Sequence, residues 1–202
     1  MKFLLSTSNL GKLNEFKQIL SPIGIQVVST KDINLDMKFP EETGNTFEEN
    51  AYIKANRAYE LSGLPSIGDD SGLQVDALNG APGIYSARYA GENASDKEKI
   101  NKLLYELKDI PEEKRTARFV CAISCVISNE KNFFVKGICE GSIAFNPVGN
   151  NGFGYDPIFI CKNGKTFSEL KSDEKNKISH RGIAIRKLYL ELNKIMSSKE
   201  IY

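Results

Sequence analysis

The segment Arg118-Phe119-Val120-Cys121-Ala122-Ile123-Ser124-Cys125-Val126-Ile127-Ser128 places Phe119, Cys121, Ile123, Cys125 and Ile127 on one face of a strand, while Val120, Ala122 and Val126 make the other face apolar too. A strand apolar on both sides is covered on both sides, so its sheet needs layers above and below. Downstream, Ser128–Lys131 reads as a turn and Asn132–Phe145 as a partner strand. Asp156–Cys161 reads as a further strand that Asn163-Gly164 turns back toward Thr166 and Phe167, completing a meander. Upstream, Ser95-Asp96-Lys97-Glu98 has the form of a helix-capping box and leads into Ile100, Leu103, Leu104 and Leu107 at helical spacing, with Pro111 as the stop. Thr46-Phe47-Glu48-Glu49 opens another helix in the same way, with Phe47, Ala51, Ala55 and Ala58 inward and Gly63 at its end.

Outward to the termini, Lys2–Leu5 is a short strand, Ser6-Thr7-Ser8-Asn9 a polar loop, and Leu10, Leu13, Phe16 and Leu20 recur as one face of a helix. The last helix follows Ser179 and carries Ile185, Leu188, Leu192 and Ile195, before a polar tail that frays after Met196. Ser66–Asp69 and Leu73–Ala77 read as strand ends on either side of an acidic turn, followed by a loop at Asn79–Gly83. Helices interleave with strands early and antiparallel pairs dominate later, which predicts an α/β class with a mixed sheet covered by helices. The long strands show no composition break, so residues 1–202 are read as one domain with two lobes sharing the sheet and a cleft between them where polar loops meet a ligand.

The 202 residues carry 27 Lys+Arg against 26 Asp+Glu, with 41% hydrophobic and 26% charged residues. That balance excludes collagen-like, disordered and disulfide-dense classes. It also lacks the basic excess of a dedicated nucleic-acid or membrane-surface binder, so the expected partner is a small molecule. Met1–Asn9 holds an apolar run of Phe3–Leu5, too short for a secretory core, and no window reaches membrane-spanning length; the expected location is the cytoplasm. Cys121, Cys125, Cys139 and Cys161 stand singly in apolar segments and read as buried thiols.

Gly68-Asp69-Asp70-Ser71-Gly72-Leu73 sets two carboxylates side by side between apolar segments. Adjacent acids repel, a cost tolerated where a cation neutralises them or one acid needs a raised proton affinity; an exposed acidic turn is the equally weighted alternative. Phe39-Pro40-Glu41-Glu42-Thr43-Gly44 adds two acids before a helix on which Asn50 and Lys54 share a face at i, i+4. Such a loop and helix suit magnesium bridging polyphosphate oxygens, although a solvated helix face is the commoner meaning of such charges. Ser6–Lys12 forms a strand-to-helix turn able to receive an anion, or simply to cap its helix, and lacks both the Walker and the dinucleotide glycine patterns. Lys175–Arg181 gathers cations with the single histidine, and Asn151–Pro157 brings Phe153 and Tyr155 on glycines that could close over a planar base or pack in the core. A Ser/His/Asp hydrolase is disfavoured.

In order, these motifs resemble the inosine triphosphate pyrophosphatase family over nearly the whole chain. The likeness runs through Thr7-Ser8-Asn9 with Lys12 and Glu15; Glu42–Ala51 with Lys54-Ala55; Asp69–Leu73 and Val75–Leu78; Gly80–Gly83 and Ser86–Gly91; Gly152–Phe159; and Lys175-Asn176 with Ile178–Arg181. Gly68 departs from the alanine often found there. The resemblance implies an α/β fold with a long twisted mixed sheet, a homodimer, and magnesium-dependent hydrolysis of non-standard purine nucleoside triphosphates such as dITP and XTP to monophosphate and pyrophosphate. That reaction cleanses the nucleotide pool of deaminated bases. It further implies Asp70 as the proton acceptor and a metal ligand, with Glu42 and Asp69 completing the metal set. Thr7, Ser8, Asn9, Lys12 and Lys54 would then hold the triphosphate and Ser71 touch substrate, while Phe153, Gly154, Tyr155, Asp156, Lys175, His180 and Arg181 cradle the base.

Two rival readings are weighed beside this one. A Maf-like pyrophosphatase for modified pyrimidine nucleotides is told apart by its substrates and products. A nucleotide-sensing or nucleic-acid-binding module without turnover is disfavoured because such binders rarely set carboxylates beside phosphate.

Overall fold

The computed structural model describes residues 1–197. Six strands hydrogen-bond in the order β2-β1-β3-β4-β5-β6: β1 (Lys2–Ser6), β2 (Gln26–Val28), β3 (Ser66–Val75), β4 (Thr116–Ser128), β5 (Lys131–Ile143) and β6 (Phe159–Cys161). β1 pairs parallel with β2 and β3, in register Ser6 to Gly68, while β5 and β6 are antiparallel with Gly141 opposite Cys161. The helices are α1 (Leu10–Leu20), α2 (Phe47–Ser62), α3 (Asp96–Glu106), α4 (Ser172–Ile178) and α5 (His180–Ser197). The mixed sheet with flanking helices is the α/β class expected from the sequence.

Caps fix where the helices begin. Asn9 Oδ1 accepts from Lys12 N–H at the head of α1, Thr46 Oγ1 accepts from Glu49 N–H at the head of α2, and Ser95 and Glu98 form a reciprocal capping box on α3. Gly63 closes α2 in the left-handed conformation at φ 67°.

The fold separates into two compact units, one of Met1–Asp70, Cys121–Gly137 and residues 181–197, the other of Ser71–Val120 and Ile138–His180. In the first, Phe3, Leu5, Ile67, Cys121, Ile123 and Cys125 pack against Leu13, Phe16 and Leu20 of α1 and Ala184, Ile185, Leu188 and Leu192 of α5. Leu4, Val28, Met37 and Ala58 pack together on the α2 side. Full burial of each leucine, isoleucine, valine, phenylalanine or methionine among them contributes about 1.5–3 kcal/mol against chain entropy. The second unit is centred on Leu73, Val75, Leu103, Leu107, Phe119, Phe159 and Phe167. Within it the buried Arg115 has no carboxylate among its hydrogen-bond acceptors, which are the carbonyls of Leu107, Ile110, Ile143 and Ala144.

Several expectations are corrected. Residues 66–75 form one continuous strand rather than two strand ends around an acidic turn; pairing with β1 and ion pairs on both faces outweigh the turn propensity of Asp-Asp-Ser-Gly. Leu10 is exposed and does not join the apolar face of α1. The strand read at Asp156–Cys161 begins as a single helical turn, Asp156–Ile158, and becomes β6 only at Phe159. Helix α4, which holds Lys175 and Ile178, and three-residue β2 carried no recognisable pattern. All four cysteines are buried thiols outside any disulfide, as read; burial raises the thiol of Cys125 to about 12 and that of Cys139 to about 11. α5 runs on to Ser197, and the rest of the tail expected to fray after Met196 lies outside the described residues. Among those residues no helix is long and apolar enough to cross a membrane.

Candidate active site

Strand alternation directs the two adjacent acids of β3 apart. Asp70 lies on the α2 side with Gly68, and Asp69 on the opposite side with Ile67. Gly68 is where α2 comes closest: a Cβ there would collide with the carbonyl oxygen of Ala51 and sit 2.7 Å from the amide nitrogen of Ala55. That absence of a side chain seats α2 directly on β3, with Lys54 and Asn50 turned toward Asp70.

Lys54 Nζ is 2.7 Å from Asp70 Oδ1 and 3.0 Å from Glu42 Oε1. Asn50 donates to Asp70 Oδ2 at 3.5 Å and accepts from Gly44 N–H at 2.8 Å, so it ties the Glu42 loop to the same helix. Asn50 and Lys54 are 0% and 8% exposed, which removes the reading of a solvated helix face. Burial pushes the Asp70 carboxyl above its ordinary value, against the opposing pull of Lys54. Burial pulls the Lys54 ammonium down, but Asp70 and Glu42 outweigh it and leave its proton held more tightly than usual.

Across β3, Asp69 forms ion pairs with Lys12 and with Arg181, whose Nε lies 3.0 Å from Asp69 Oδ2. Arg181 Nη1 reaches Glu15 Oε2 at 2.5 Å, and the Cys121 thiol donates to Asp69 Oδ2 at 3.0 Å. Burial alone would raise Asp69, yet Arg181 and Lys12 overcome it and hold the carboxyl well below its usual range. Arg181 likewise keeps its proton more firmly than a free guanidinium, because Asp69 and Glu15 outweigh burial.

The three acids expected as one metal set are therefore divided: Glu42 and Asp70 share Lys54, while Asp69 belongs to the cluster of Lys12, Arg181 and Glu15. Among the described residues no group of three or more His, Cys, Asp or Glu side chains is arranged to hold a metal. Arg181, expected at the base, sits 2% exposed in that same cluster. Thr7, Ser8 and Asn9 form the turn into α1, where Thr7 Oγ1 accepts from Asn9 N–H. Ser71 follows Asp70 in β3, half-buried.

The second unit gathers the other expected residues. Asp156 Oδ2 accepts from Lys175 Nζ at 2.7 Å and from Phe153 N–H at 2.9 Å, and Lys175 Nζ lies 4.8 Å from the centre of the Phe153 ring. The Tyr155 hydroxyl donates to Ser86 O at 3.1 Å, and burial raises its proton affinity. His180 is buried and stacked on Phe119 with ring centres 4.5 Å apart. Gly152 and Gly154 adopt positive φ, and a side chain on Gly152 would meet the Asp156 carboxylate.

Four functional neighbours were not singled out as site residues. Asn50 was legible through its i, i+4 spacing with Lys54. Glu15 was visible only as part of the motif likeness, while Cys121 and Gly68 act through contacts that leave no local pattern.

The chain is 53% identical over 186 residues to a dITP/XTP pyrophosphatase of Bacillus subtilis, covering 92% of this chain and 93% of that protein. The structure of a HAM1 protein from Coxiella burnetii superposes with a TM-score of 0.86 at 42% identity, covering 96% of this chain and 99% of that one. The Staphylococcus aureus Ham1 protein superposes with a TM-score of 0.84 at 44% identity and the same coverage. Residues 3–190 match the model of the Ham1 family, and with relatives this similar across nine tenths of its length the chain belongs to that family.

Proposed function

We propose that this protein is a nucleoside triphosphate pyrophosphatase that hydrolyses dITP, XTP and related non-standard purine nucleotides to the monophosphate and pyrophosphate, and so keeps deaminated bases out of the pool used for nucleic-acid synthesis. The reading rests on the relatives named dITP/XTP pyrophosphatase together with one observation, the buried Lys54 ammonium bridging the Asp70 and Glu42 carboxylates.

Asp70 is the proton acceptor for the attacking water. A carboxylate whose proton affinity burial has raised is a better base than an exposed one, and Lys54 fixes its orientation. Lys54 and Lys12, with the Thr7-Ser8-Asn9 turn, supply positive charge and donors for the triphosphate. Asp69 holds Lys12 in place. Glu42 and Asp70 fit magnesium, which takes one or two carboxylates and fills its remaining positions with water and phosphate. When bound, the ion supplies charge neutralisation for the polyphosphate.

In the second unit Phe153 offers an aromatic face to a planar base, and Lys175 supplies a donor for an acceptor oxygen at purine C6; His180 belongs to the same set by resemblance. Adenine presents an amino donor at C6 and would leave such donors unpaired. A homodimer and a cytoplasmic location are part of the same reading.

The test is magnesium-dependent release of pyrophosphate from dITP, XTP, dGTP and dATP, with the nucleotide product identified. Monophosphate and pyrophosphate from dITP and XTP, lost on chelation, support the assignment. Equal rates on dITP and dGTP would sink the selectivity, and absence of turnover on every triphosphate would leave a binding protein.

A further inference from the structure

The segment Asn151–Asp156 carries two glycines with positive φ, Gly152 at 79° and Gly154 at 62°, so its own backbone does little to fix its shape. It is ordered by anchors. Asn151 N–H donates to Ser168 O at 3.0 Å, Phe153 N–H to Asp156 Oδ2 at 2.9 Å, and the Tyr155 hydroxyl to Ser86 O at 3.1 Å. A further anchor comes from a helix that carries none of the residues assigned above: Gly154 N–H donates to Asp96 Oδ2 at 2.7 Å, across 58 positions of sequence.

Asp96 is suited to be a fixed point. It is the first residue of α3, where the positive end of the helix favours a carboxylate, and its Oδ1 receives Lys99 Nζ at 2.6 Å from the next turn. The bond to Gly154 is charge-assisted, the stronger class of backbone hydrogen bond. It acts on the residue between Phe153 and Tyr155, so it sets where both rings stand.

We propose that Asp96 is a positioning residue for substrate recognition: its carboxylate holds Gly154 so that Phe153 is presented to the purine before the nucleotide arrives. The inference rests on reading Phe153–Asp156 as the base-binding loop. Without this anchor the loop samples more conformations, and the cost of ordering it falls on binding. Asp70, Glu42 and Lys54 belong to other segments and keep their arrangement, so the effect belongs in KM and not in kcat. What Gly154 needs is an acceptor oxygen, which asparagine retains and alanine does not.

The experiment is steady-state hydrolysis of dITP by wild type, Asp96→Ala, Asp96→Asn and Phe153→Ala, with thermal unfolding of each. Asp96→Ala should raise KM about three- to tenfold, as expected for losing one charge-assisted bond, and leave kcat within about twofold. Asp96→Asn should restore most of the wild-type KM, and no variant should melt more than a few degrees below wild type. An unchanged KM for Asp96→Ala beside a raised KM for Phe153→Ala would overturn the role of Asp96 alone. Loss of kcat together with stability in Asp96→Ala, or failure of Asp96→Asn to rescue, would make Asp96 merely structural. An unchanged KM for Phe153→Ala would remove the base-loop reading and this inference with it.

Discussion

Asp69 and Asp70 are adjacent in the chain yet stand on opposite faces of β3, one ion-paired to Arg181 and Lys12, the other to Lys54. Side by side in a turn, two carboxylates would share one field and compete for one cation. On a strand each answers to its own surroundings: Asp69 is held well below the ordinary carboxyl range by its cations, and Asp70 is raised above it by burial. The same dipeptide thus supplies an acid that stays ionised and one able to accept a proton.

Asp70→Asn should keep the fold and lose at least about a hundredfold in kcat for dITP, the scale of a missing general base. Circular dichroism with steady-state kinetics checks this, and near-normal turnover would remove Asp70 from that role.

Asp69→Asn should destabilise the protein by about 3–5 kcal/mol, since it leaves buried Arg181 with only part of its counter-charge. Because the folded carboxyl is depressed, its stabilisation is complete above the unfolded value of about 3.9 and is lost as pH falls below that toward the folded value. Urea unfolding of the metal-free protein over that acid range should show a shallower pH dependence for the variant than for wild type.

Gly68→Ala should force α2 away from β3, because the new methyl meets helix backbone at Ala51 and Ala55 rather than a side chain that can swing aside. A stability loss of about 1–3 kcal/mol is expected. Turnover should fall by about tenfold or more, since Lys54 travels with the helix. A variant with wild-type melting temperature and rate would show that α2 accommodates the methyl at no cost.

Lys175→Met should narrow the preference for dITP over dATP, by removing a donor that suits a C6 oxygen. Competing the two substrates and comparing kcat/KM measures it; an unchanged ratio would assign the discrimination to other side chains.

Much of this fold was legible because burial writes period into sequence: the two-sided apolar strand at Arg118–Ser128, the capped helix after Thr46 and the stripe of α5 all stand where their patterns put them. The acidic segment misled because Asp, Ser and Gly favour turns locally, whereas its pairing with β1 is a contact between residues more than sixty positions apart. In the candidate site Glu42, Lys54 and Asp70 come together as a set, and spacing already put Lys54 beside Asn50. The partnership of Glu15 with Arg181 left no trace, since an ion pair across 166 positions imposes no local pattern.

That separation also sets a timetable for synthesis. Lys54, Glu42 and Asp70 are all made within the first 70 residues, but Asp69 receives its guanidinium only when Arg181 leaves the ribosome. Ala184, Ile185, Leu188 and Leu192 of α5, which cover the same side of the sheet, follow immediately after it. A polypeptide released before that point would expose both an uncompensated acid and an uncovered apolar surface, the features by which chaperones and proteases recognise incomplete products. The Asp69 side of the sheet therefore gains its counter-charge and its apolar cover together.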